Sequence, residues 1–92
     1  MPQTIEEMLE ELGDPRNFAE QALMQRIKEE SIRYAEQQRV LDERATLDSK
    51  RTGAMVRQAE AWHLALGFYH SIITFRVHGK APVVPGAYDG KR

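Results

Sequence analysis

Cysteine is absent from the chain. That excludes a disulfide framework, a thiolate metal site and a thiol nucleophile. An excess of either charge is lacking too: 13 basic residues stand against 14 acidic ones, so the total exerts no general pull toward nucleic acid. No one-sided basic stripe makes up for it. Long hydrophobic runs are also missing. The longest uncharged stretch, Ala61 to Phe75, includes His63 and His70 and falls short of the roughly 18 to 20 residues that a membrane span needs. The opening Met1-Pro2-Gln3-Thr4 leads into an acidic segment, not into the basic and apolar regions of a signal peptide, so a soluble, cytoplasmic protein is expected. There is no glycine-rich phosphate loop and no Gly-x-Ser-x-Gly, and a non-enzymatic role is the primary expectation.

Helix breakers are confined to a few places, and helical periodicity fills the rest. Thr4 and Glu7 have capping-box spacing, Ile5, Met8, Leu9 and Leu12 share one face, and Gly13 is placed to stop a first helix over about 5–12. Asn17 and Glu20 repeat the spacing after Asp14-Pro15, and no further Pro or Gly occurs before Gly53, which predicts a second helix over about 18–45. The polar segment from Thr46 to Gly53 carries turn chemistry, so the bend is expected there; a single helix running through Gly53 is the alternative. A third helix over about 52–78 ends at Gly79 and Pro82. The predicted architecture is all-α. It consists of a single helical domain over 1–79, in which a short N-terminal helix precedes a long antiparallel αα-hairpin, and an extended tail over 80–92.

The two long helices are unequal in apolar surface. The second offers one narrow seam, Leu23, Ile27, Tyr34, Leu41 and Ala45, interrupted by Glu30, Ser31 and Gln38. The third carries two stripes side by side: Met55, Ala59, Trp62, Leu66, Tyr69 and Ile73, then Ala61, Ala65, Phe68, Ile72 and Phe75. One stripe can meet the hairpin partner, and the other needs a surface elsewhere. A chain this short buries only about 60% of its unfolded surface, and each large apolar side chain left wet forgoes about 1.5 to 3 kcal/mol. Association with a protein partner is therefore expected, through self-pairing into a helical bundle or as a small subunit of a larger assembly. The expected partner-binding residues are Trp62, Leu66, Phe68, Tyr69, Ile72, Ile73 and Phe75, with Val83, Val84 and Tyr88 of the tail. The alternative is a self-sufficient chain in which the first helix and the tail fold over the spare stripe. Compact, cysteine-free helical proteins of this kind are common in bacteriophages and mobile elements, which would place the chain in a host cytoplasm or a virion.

Glu60-Ala61-Trp62-His63 has Glu-x-x-His spacing, which sets a carboxylate and an imidazole side by side on a helix. With Glu30 on the preceding helix, this set resembles the half-size encapsulated ferritins. The resemblance is confined to Glu30, Glu60, His63 and the hairpin shape, and it implies an iron site assembled across a dimer. Read from the helix itself, Glu60, His63, Gly67, His70 and Thr74 form a narrow polar strip facing solvent, and no metal or cofactor is expected from it.

Overall fold

The computed structural model describes residues 3–43 and 47–79. The described residues form three helices and no strand: α1 (Ile5–Leu12), α2 (Phe18–Asp42) and α3 (Asp48–His78). None of the three is long and apolar enough to cross a membrane.

The first helix starts where its cap residues put it. Thr4 Oγ1 accepts from the Glu7 amide at 3.1 Å and the Glu7 carboxylate accepts from the Thr4 amide at 2.9 Å, so two of the otherwise unpaired amides at the helix start are satisfied. Gly13 ends α1 at a φ of 66°, a conformation that L side chains rarely adopt. Asn17 caps α2 by accepting from the Glu20 amide at 2.9 Å. The Glu20 carboxylate does not reach back to the Asn17 amide as a capping box would; it is drawn to the Arg16 amide and to Arg76 instead. Gly79 closes α3 in the left-handed region, its amide donating to the Phe75 carbonyl at 2.8 Å.

The break between the long helices falls earlier than the expected bend. Helix α2 ends at Asp42, whereas the sequence predicts it to about residue 45, and α3 begins at Asp48, about one turn before the expected Thr52. Asp48 and Ser49 stand in the first turn of α3, where short polar side chains are as favourable as they are in a loop. Gly53 lies inside the helix. The Arg51 guanidinium donates to the Leu41 carbonyl at the end of α2, which satisfies a carbonyl the helix cannot pair itself.

Contacts between α2 and α3 run in opposite directions along the two helices. Gln58 donates to Gln38 at 2.7 Å, the Arg26 guanidinium lies 5.0 Å from the Phe68 ring centre, and Arg76 pairs with Glu20. Helix α1 packs on both long helices at the end where α2 starts and α3 finishes. The core lies between the three: Ile5, Met8 and Leu12 from α1, Leu23, Met24 and Ile27 from α2, and Ala65, Phe68, Tyr69 and Ile72 from α3.

Candidate interaction site

The structure settles which stripe of α3 faces α2. Ala54, Ala61, Ala65, Phe68 and Ile72 are all fully buried and recur at helical spacing. Phe68 and Ile72, expected at a partner interface, are therefore spent within the chain's own core. The other stripe receives α1. Tyr69 is buried beneath it, and Trp62, Leu66 and Ile73 are partly buried. Phe75 is also partly buried, on the flank of α3. Val83, Val84 and Tyr88 lie outside the described residues, as does Ala45 of the expected α2 seam.

Three polar side chains of α3, spaced seven residues apart, tie α1 down. Trp62 Nε1 donates to the Gln3 carbonyl at 2.7 Å. The Tyr69 hydroxyl donates to the Glu11 carboxylate at 2.6 Å. Arg76 donates to the Leu12 carbonyl at 2.9 Å and to the Asp14 carbonyl at 3.3 Å, closing the C-terminal end of α1. A seven-residue step returns nearly to the same side of a helix, so the three tips line one edge of α3. Arg76 also holds the Glu20 carboxylate at 2.7 Å, and both partners are largely out of water, with side chains 12% and 1% exposed. The Arg76 hydrogen bond holds the Glu20 carboxyl below its ordinary pKa, against the opposing effect of burial. Glu11 is lowered in the same way by the Tyr69 hydroxyl and then by Gln3, and the Tyr69 hydroxyl is raised, first by Glu11 and then by burial.

One seven-residue step further along α3 is Met55, and here α1 has run out. The trough that seats α1 continues as an open groove of about 490 Å³. Its walls are Tyr34 of α2 and Met55, Gln58, Ala59 and Trp62 of α3; its end is closed by Gln3, Thr4, Ile5 and Glu6 at the start of α1. Met55 is 59% exposed and Ala59 is exposed, although both belong to the stripe that α1 covers lower down. Gln58 of this lining also ties α3 to α2, its amide donating to Gln38. The groove is apolar and aromatic with a few polar groups at its rim, the composition of a recognition surface.

No protein-family model, curated protein or solved structure matches this chain.

The residues of the iron alternative are not brought together within the chain. Glu30 is buried on α2, whereas Glu60 and His63 are exposed on α3. Among the described residues no three of the types His, Cys, Asp and Glu gather as a metal would require. Two features escaped the sequence reading. The clamp of Trp62, Tyr69 and Arg76 carried a visible signal in its spacing of seven. The burial of Glu20 and Glu30 was only partly signalled: Glu30 interrupts the apolar seam of α2 and Glu20 stands at that helix's cap, positions that do not by themselves bury a carboxylate.

Proposed function

We propose that this chain is a non-catalytic helical interaction module. In this reading it pairs its long αα-hairpin with another protein chain, either a second copy or a larger assembly. The observation that carries it is the half-covered stripe of α3: Tyr69, tied to Glu11 of α1, is buried, Leu66 and Ile73 are partly buried, and Met55 and Ala59 stand open beside the half-buried Tyr34 and Trp62. An apolar face that is finished at one end of a hairpin and bare at the other is the pattern of a surface completed by a partner. Large apolar side chains also stand exposed away from the groove: Ile32, Leu47 and Val56 in the same half, and Phe18 and Val77 at the other end, so it is the continuity of the groove with the α1 seat, not exposure as such, that carries the reading.

The absence of cysteine allows a direct test, because a single introduced thiol reports on one position. Ala59→Cys and His70→Cys both replace exposed residues, on the groove and on the polar strip. In the natively isolated particle the thiol at 59 is expected to react slowly with a maleimide dye and the thiol at 70 quickly. Equal, rapid reaction at both positions would count against the reading.

A further inference from the structure

Among the described residues the covered half of this trough holds a helix, α1, and its open half continues the same surface. We infer that the groove beyond α1 receives one amphipathic helix of a partner protein, lying end to end with α1, its C-terminus toward Thr4 and its last turn carrying Lys or Arg. This rests on the interaction reading above and names the partner's chemistry.

Continuity with the α1 seat is the first ground. Met55 and Ala59 extend the stripe of α3 that holds Ile5, Met8 and Leu12 of α1, so a helix with the same i, i+3, i+7 apolar spacing meets the same kind of surface. Met55 is unbranched and adaptable, suited to a partner face that is not its own. It also lacks the polar tip that Trp62, Tyr69 and Arg76 use to fasten α1.

Charge sets the direction. The start of α1 is acidic: Glu7 is engaged with the Thr4 amide, and Glu6 stands exposed beside the groove. A helix arriving with its N-terminus first could meet Glu6 with lysines only by placing them in its first turn, against its own dipole. Arriving C-terminus first, it aligns the dipoles head to tail, and a basic last turn suits both its own dipole and Glu6. The rest of α1 offers no base to compete: Glu7, Glu10, Glu11 and the following Asp14 are all acidic.

The test uses the full chain and two fluorescein-labelled peptides of about 16 residues, long enough to be partly helical. Both have leucines at the α1 spacing on an alanine background; one carries lysines in its last turn and the other carries them in its first. Fluorescence anisotropy should show the first peptide binding about fivefold more tightly than the second, the scale of one charge-and-dipole preference of about 1 kcal/mol. Ala59→Glu should abolish binding of both, and Glu6→Gln should narrow the difference between them. Circular dichroism confirms that Ala59→Glu stays helical; if it does not, Met55→Glu takes its place. No binding at about 100 µM, where a weak helix-in-groove contact is already visible, would overturn the inference. So would binding that ignores the change at position 59, or a wild-type homodimer that neither peptide displaces. In those cases a protected thiol at 59 in the native particle would leave the interaction reading standing, and an unprotected one would remove both.

Discussion

Arg76 concentrates more of the fold than any other single side chain. It joins all three helices by pairing with Glu20 of α2 and closing the end of α1 through the Leu12 and Asp14 carbonyls. Removing one partner of a buried pair strands the other charge, at a cost of about 3 to 5 kcal/mol. Arg76→Met should therefore destabilise the chain on that scale in urea unfolding; a loss below about 1 kcal/mol, the value of an exposed pair, would show that Glu20 is solvated. The same pair gives the protein an acid limit. Because the folded pKa of Glu20 lies below its unfolded value, near 4.3 for a free glutamate, its contribution is complete above that pH and is lost as pH falls through the folded value. Stability measured from pH 6 downward should fall across that window in the wild type and far less in Arg76→Met. Glu30 is the opposite case. It is 4% exposed, its Oε1 has no hydrogen-bond partner, and the nearest Arg33 nitrogen stands 3.5 Å away with a half-exposed side chain. Replacing a buried, poorly paired charge with an apolar side chain of similar volume is neutral or favourable, so Glu30→Met should raise stability by about 1 kcal/mol. A loss of comparable size in the same unfolding measurement would contradict that account.

At the scale of the elements, Gly53 discriminates between the bend the sequence suggests and the helix the structure shows. It sits inside α3 without a positive φ, and a Cβ added there would meet only the guanidinium of Arg57, at 3.1 Å, the far end of a flexible side chain. Gly53→Ala should stabilise the chain by about 0.5 to 1 kcal/mol, the helical preference for alanine, and raise its melting temperature. A lowered melting temperature would put Gly53 back in a turn. The ends marked by side-chain chemistry were legible: Thr4 with Glu7, Asn17 and Gly79 each bound a helix as their residue types demand. The start of α3 was not, because Asp48 and Ser49 are equally at home in a loop and in a first helical turn. Nor could the two stripes of α3 be assigned from sequence. Both are apolar, and the choice depends on the small Ala54, Ala61 and Ala65 letting α2 approach, while the larger Trp62 and Tyr69 carry polar tips that α1 can use. The short first helix emerged as the cover of one stripe, though over only half its length. The cover stops where Thr4 caps the start of α1, beside Trp62.

For the whole molecule, the consequence is a three-helix unit in which α1 covers one half of the α3 stripe and leaves the other half open. On the proposed reading, association through that open half would be an apolar contact, so raising salt should leave it intact, while a charge placed in the groove should undo it. A charge at Ala59 or Met55 leaves the chain's own fold intact, since both are exposed, unlike one at Phe68, which is fully buried and would unfold it. The most direct measurement is the light-scattering mass, at micromolar concentration, of the protein isolated natively from the cells that make it, beside Ala59→Glu with its helicity checked. The account predicts a particle heavier than the 10.6 kDa chain, unchanged at about 1 M salt, where screening is nearly complete, and reduced to the single helical chain by Ala59→Glu. A stable 10.6 kDa monomer in both samples would contradict it.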